Sequence, residues 1–125
     1  MQNDKLIAIA RSLVGNISLS AGNSVGSVGA ALLTAKNNVY SGICLDYVCG
    51  LGFCAEHAAV AEMLKHRETE IIKIVAVREE VLPPCGRCRE LILLTNPANS
   101  NTQVIISDDR TVKLADLLPY HWLKD

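Results

Sequence analysis

The apolar positions change period several times along the chain, and each change marks an element. Between Lys5 and Val14 the residues Leu6, Ile7, Ile9, Ala10, Leu13 and Val14 recur at helical spacing. Asn3 or Asp4 is available as a cap and Gly15-Asn16 as a stop. A Ser/Gly/Asn stretch follows. Ser27 to Ala35 and Val39 to Leu45 are β-prone runs separated by the turn-like Lys36-Asn37-Asn38, which predicts a hairpin. Asp46 to Phe53 contains Gly50 and Gly52 and reads as a loop. Cys54 then opens a helix with Ala58, Val60, Ala61 and Leu64 on its apolar side, and Glu62, Lys65, His66 and Arg67 towards solvent.

Ile71 to Val77 is apolar at almost every position, the pattern of a central strand covered on both faces. Val81 to Pro84 reads as a loop. A second helix begins near Cys85 and stops at Asn96-Pro97, because proline cannot continue it. Val104 to Ser107 is a strand, Asp108-Asp109 a turn, Arg110 to Lys113 a further strand and Leu114 to Leu118 a short helix. The order α-β-β-α-β-α-β-β-α predicts an α/β fold of three α-β-α layers. Its sheet is mixed, with about five strands: parallel where a helix connects two strands, antiparallel at the hairpin.

Composition narrows this only moderately. The 125 residues suit one domain over 1–125, and 50% hydrophobic with 20% charged residues excludes a disordered chain. A net charge of −1 with no basic run gives no electrostatic footprint for nucleic acid, so a small molecule is the expected substrate. The start, Met1-Gln2-Asn3-Asp4-Lys5, has no basic region ahead of a long apolar run, so no secretory signal is expected. No stretch approaches the ~18 apolar residues of a membrane span. Five cysteines, three of them with a better use than disulfides, fit a reducing cytoplasm. The apolar tail Leu118 to Leu123 is expected to pack back on the domain; the alternative is that it covers a neighbouring subunit or closes over a site.

The chemistry is concentrated in Cys54-Ala55-Glu56 and Pro84-Cys85-Gly86-Arg87-Cys88. Three thiolates satisfy three positions of a tetrahedral zinc ion and leave the fourth for water, as catalytic sites do. Glu56 lies two residues after the first cysteine, close to the metal without being a ligand, where a proton shuttle is needed. The pattern Cys-x-Glu followed by Pro-Cys-x-x-Cys is the signature of zinc deaminases. All three cysteines fall at helix starts, where the partial positive charge favours thiolate. Zinc with three thiolates is formally −1, so a nearby cation is expected to compensate. Arg87 is the candidate, with Arg89 and His57 behind it.

These motifs resemble the cytidine deaminase superfamily, in particular its small-subunit branch of cytidine deaminases and blasticidin S deaminases. Val28-Gly29-Ala30-Ala31-Leu32-Leu33 and Asp116-Leu117-Leu118-Pro119 extend the resemblance more loosely over nearly the whole chain. It implies the cytidine deaminase fold, one Zn²⁺ per subunit, and hydrolytic deamination of a free cytosine nucleoside or analogue with release of ammonia. It also implies a homotetramer (or homodimer) whose sites neighbouring subunits complete. The departures fall where substrate is chosen. The family's Asn-x-Glu pair for ribose corresponds to Cys44-Leu45-Asp46, so Asp46 and Cys44, with Ala55, are the candidate substrate contacts. The family's stacking phenylalanine has no equivalent in Ser24-Val25-Gly26-Ser27, its arginine after the first motif is His57, and its glutamine after Cys-Arg is Glu90. Blasticidin S deaminases share Pro-Cys-Gly-Arg-Cys-Arg and the lack of that arginine, but keep the asparagine that Cys44 replaces.

Other readings stay open at this point. A deaminase of cytosine in RNA or DNA is disfavoured by the neutral charge. A structural Cys₄ zinc site would need Cys44 or Cys49 as fourth ligand, although both read more simply as small buried hydrophobes. A thiol oxidoreductase using Cys85 and Cys88 leaves Cys54 and Glu56 without a role.

Overall fold

A computed structural model describes residues 1–123. Helix α1 (Asn3–Ser12) leads into a two-residue strand β1 (Ile17–Ser18), and the hairpin β2 (Ser24–Thr34) and β3 (Val39–Asp46) follows. Next come α2 (Ala55–Lys65), β4 (Ile71–Val77), a second two-residue strand β5 (Val81–Leu82) and α3 (Gly86–Thr95). A 3-10 turn over Pro97–Asn101, strands β6 (Gln103–Ser107) and β7 (Arg110–Lys113), and α4 (Leu114–Leu117) complete the order. The strands form one mixed sheet of order β1-β2-β4-β6-β7, with β3 beside β2 and β5 beside β4. Only β4 and β6, joined through α3, pair in parallel. The expected α/β three-layer fold is therefore present, with seven strands instead of about five. The extra two, β1 and β5, are too short to show a period of two in sequence.

Alternation along the central strands assigns the layers. Leu32 of β2, Ile74 of β4 and Val104 of β6 point to one face, where Ala59, Val60 and Met63 of α2, Ile92 and Leu93 of α3 and Leu114 of α4 cover them. Their neighbours Ala31, Val75 and Ile105 point to the other face, against Leu6, Ile7 and Ala10 of α1. Each large side chain so buried contributes about 1.5–3 kcal/mol.

Two details of packing differ from the sequence expectation. The buried stripe of α2 is Ala55, Glu56, Ala59, Val60 and Met63, so Ala61 and Leu64 face outwards. At the start of α1 neither Asn3 nor Asp4 caps; Gln2 holds that place without a side-chain bond. Asn3 instead donates to the Thr111 hydroxyl at 2.9 Å and accepts from Lys73 at 2.9 Å, tying α1 to the sheet.

Small residues bring α2 down onto the sheet below its first turn. Ala30, Ala76, Cys44 and Ala55 form a buried cluster there. A Cβ on Gly42 would lie 2.4 Å from the Ala58 Cβ and 2.7 Å from the Ala59 nitrogen, so only glycine allows β3 and α2 to approach this closely. The tail divides. Leu118 and Leu123 pack on the core, whereas Tyr120 and Trp122 are exposed.

Candidate active site

Cys54 is the N-cap of α2, Cys85 the N-cap of α3, and Cys88 lies in the first turn of α3. The Cys54 thiol makes no cap bond to its own helix and turns towards Cys85, with Sγ–Sγ separations of 3.4 Å for Cys54–Cys85 and 3.4 Å for Cys85–Cys88. The three sulfurs all lie within 4.8 Å of one another. Thiolates on a tetrahedral zinc, each about 2.3 Å from the metal, stand about 3.8 Å apart, so the cluster has the size such an ion needs. Cys44 and Cys49 are not part of it among the described residues. Cys44 is buried as expected, but Cys49 is exposed at φ 61° in the loop after β3, where no core forms.

Glu56 is buried to 5% exposure one residue into α2, and burial pushes its carboxyl above the ordinary range. Burial also raises Cys54 and Cys88. At Cys85 burial acts upwards too, but the backbone N–H groups of Cys88 and Arg87 and the other two thiols outweigh it, and the net shift is down. His57 places Nδ1 3.6 Å from the Cys88 sulfur and stacks on Phe53. Burial, then the charge of Arg87, lowers its pKa. Arg89 is not a solvated surface charge: it donates to the Pro84 carbonyl at 2.9 Å and the Leu117 carbonyl at 3.0 Å. It thereby ties the loop before Cys85 to α4.

Cys54, Cys85 and Glu56 line a cleft of about 580 Å³, within the range of small-molecule sites, and Cys88 lies buried behind them. Of the other candidates, Cys44, Asp46, Ala55 and Arg87 line its wall and His57 does not. Val28, Phe53, Ala76, Leu82 and Pro83 add apolar surface, and Tyr47 joins them from the loop after β3. That loop is closed by a bridge in which the Leu45 and Phe53 backbones exchange hydrogen bonds of 2.9 and 3.0 Å. Phe53, the one phenylalanine of the chain, stands immediately before Cys54, and that adjacency was the available signal for its role in the wall. Between β2 and β3, the Ser27 hydroxyl donates to Asp46 Oδ2 at 3.0 Å and lies 3.2 Å from the Cys44 sulfur. The Val28 amide donates to that sulfur at 3.3 Å.

A mixed sheet carrying three clustered cysteines at the starts of two helices, with a buried glutamate between them and a cleft, defines a deaminase-type fold and site. The chain belongs to the cytidine deaminase family. It is 31% identical over 97 residues to a cytidine deaminase of Halalkalibacterium halodurans, covering 74% of both chains. It is 33% identical over 76 residues to the blasticidin-S deaminase of Bacillus cereus, covering 52% of this chain and 54% of that one. The crystal structure of cytidine deaminase from Mycobacterium tuberculosis superposes with a TM-score of 0.82 at 27% identity, over 99% of each chain. No family model matches the sequence.

Proposed function

We propose that residues 1–125 form one zinc-dependent hydrolytic deaminase domain acting on a free cytosine nucleoside or cytosine-nucleoside analogue. The observation that carries this is a cluster of three sulfurs, two of which, Cys54 and Cys85, line one cleft together with the buried Glu56 carboxylate. Cys54, Cys85 and Cys88 hold one zinc ion, which when bound supplies the electrophilic chemistry that activates water for hydrolysis. Glu56 carries one proton from the attacking water to the ring nitrogen and a second, from the hydroxyl left on the amidine carbon, to the departing amine. The C–N bond of the amidine carbon breaks, a C–O bond forms, and ammonia leaves. Phe53, Leu82 and Pro83 offer apolar faces to the ring, and the Ala55 backbone lies at the cleft wall beside it. Arg87 and His57 offset the negative charge of the thiolate cluster, Arg87 as a fixed cation and His57 through its contact with Cys88.

A blasticidin-S-type substrate is the second reading. It is favoured by Asp46 in place of the glutamate of the Asn-x-Glu pair and by the likeness to the Bacillus cereus enzyme. The outward apolar patch of Phe53, Ala58, Ala61, Leu64 and Leu91, a groove of about 300 Å³, supports self-association, as a homotetramer or a homodimer. Five free thiols suit a reducing cytoplasm, and no helix among the described residues is long and apolar enough to cross a membrane.

Ammonia release from cytosine, cytidine, deoxycytidine, blasticidin S and guanine, each beside Glu56→Ala, tests the reading. Turnover of a cytosine nucleoside that disappears in the variant supports it. Turnover of blasticidin S alone selects the second reading. No release from any of the five by zinc-loaded protein overturns both.

A further inference from the structure

The pairing of β2 with β3 shifts register between Val25 and Gly29: Val25 faces Leu45, and Gly29 faces Ile43. Gly26, Ser27 and Val28 therefore stand against Cys44 alone. A bulge of this kind bends its strand and re-aims side chains, and bulges concentrate beside active sites. Gly26 is what makes it attainable. Its φ is +87°, and a Cβ there would sit 2.4 Å from the Gly15 carbonyl oxygen. The Gly15 amide in turn donates to the Gly26 carbonyl at 2.8 Å and holds the bulge down.

The bulge turns two donors inwards. The Val28 N–H meets the Cys44 sulfur, and the Ser27 hydroxyl gives its single hydrogen to Asp46 Oδ2. With that hydrogen spent, the Ser27–Cys44 contact requires the thiol to donate, and the sulfur also lies 3.6 Å from the same Oδ2. Oδ2 is thus engaged from within the wall. Among the described residues nothing donates to Oδ1, although Asp46 lines the cleft and is exposed to it.

We propose that Ser27 is a positioning residue for substrate choice: held by the Cys44 thiol, its hydroxyl pins one oxygen of Asp46 and leaves the other as a lone acceptor facing the cleft. The cleft then prefers cytosine derivatives whose ring substituent carries a hydroxyl or ammonium donor over those whose substituent carries none. A carboxylate acceptor in a fixed rotamer gains on the scale of a charge-assisted hydrogen bond, about tenfold or more in affinity. A carboxylate free to rotate loses part of that to side-chain ordering. The inference rests on the deaminase reading for where the ring sits.

The test separates binding from reaction. Calorimetry on zinc-loaded protein, in a Glu56→Ala background that suppresses turnover, compares cytidine with 1-methylcytosine, which has the ring without the donors. The expected result is a preference for cytidine of about tenfold or more, largely lost in Ser27→Ala and Asp46→Ala and restored in Ser27→Thr. Zinc content and melting temperature are recorded for each variant, and Asp46→Ala reads the same wall should Ser27→Ala fail to fold. A merely structural Ser27 would weaken both ligands together and leave the ratio in place, which overturns the inference, as does failure to bind either ligand. Ammonia release with Glu56 intact is scored separately. Donor-dependent binding without ammonia from any of the panel sinks the deaminase reading and leaves the role of Ser27 standing.

Discussion

Replacing Gly42 by alanine puts a methyl group where α2 rests on β3. The new Cβ would start 2.4 Å from the Ala58 Cβ and 2.7 Å from the Ala59 nitrogen, against an ordinary contact of 3.4 Å or more. One of these is backbone, so no rotamer relieves the overlap, and α2 must lift by about 1 Å. Overpacking of this kind costs about 1–3 kcal/mol, or roughly 4–12 °C in melting temperature for a domain of this size. The consequence reaches the site because α2 carries Cys54 and Glu56 while Cys85 and Cys88 ride on α3. A lift of about 1 Å opens sulfur separations that now stand at 3.4 Å and moves the carboxylate relative to the bound ring. Misplacement on that scale lowers turnover by about 10²-fold. Urea denaturation reads the first effect, zinc competition with a chromophoric chelator the second, and ammonia release the third. Gly15→Ala is the control, since its Cβ would meet nothing within 4 Å. A folded Gly42→Ala protein with wild-type zinc affinity and turnover would refute the coupling between this contact and the chemistry.

Glu56→Ala should keep zinc bound, by metal analysis, while ammonia release falls by about 10²-fold or more; Cys88→Ser, by contrast, should lose the metal itself. Ile92→Ala removes a fully buried side chain from the face under α2 and α3, and urea melts should register about 2–5 kcal/mol of destabilisation. Tyr40 donates to the Glu68 carboxylate, which the Thr34 hydroxyl, then Tyr40 and the Asn38 amide hold below the ordinary range against the effect of burial. Glu68's contribution to stability is therefore present above about pH 4.3 and lost as pH falls through its lower folded value. The Tyr40 hydroxyl is pushed up to about 12, chiefly by its bond to Glu68, so its contribution is full below about pH 10 and lost as pH rises towards 12. Tyr40→Phe should flatten the stability profile at both ends, and urea midpoints that keep both slopes would count against the pairing.

Much of the fold was legible because its signals are local. β4 runs over Ile71–Val77, the stretch that its unbroken apolar run predicts, and Asn96-Pro97 ends α3 where proline must. The motif residues were legible for the same reason. A cysteine at an N-cap and a glutamate two positions on are fixed relative to each other by a single helical turn. What stayed hidden was decided by packing. Apolar residues of α2 occur on both sides of its polar ones, so its sequence does not say whether Ala59 and Met63 or Ala61 and Leu64 face inwards; the small residues Ala30 and Gly42 on the sheet decide it. Tyr47, Leu82 and Ser27 went unnoticed as wall or supporting residues because each reaches its place through a loop, a two-residue strand or a bulge.

This division has a consequence for how the site is assembled. The reactive half is written into two contiguous motifs on helix starts, held at the right separation by the α2–sheet contact and by Arg89 between Pro84 and Leu117. The wall that meets the rest of the substrate comes from the β2 bulge, the end of β3 and the loop closed by the Leu45–Phe53 bridge. The two halves share few side-chain bonds. Cys44 is linked to Ser27, Val28 and Asp46, and not to the sulfur cluster. Under the proposed function, exchanging Ser27 or Asp46 changes which substituent is accepted without moving the sulfurs or Glu56, whereas Cys44 packs with Ala55 and reaches both halves. Exchanges around Cys54, Cys85 or Cys88 act on every substrate alike. Cys54, Glu56, Cys85 and Cys88 follow the deaminase motif while Cys44 and Asp46 stand in place of its Asn-x-Glu pair, so under the proposed function the individuality of this chain lies in the choice of substrate.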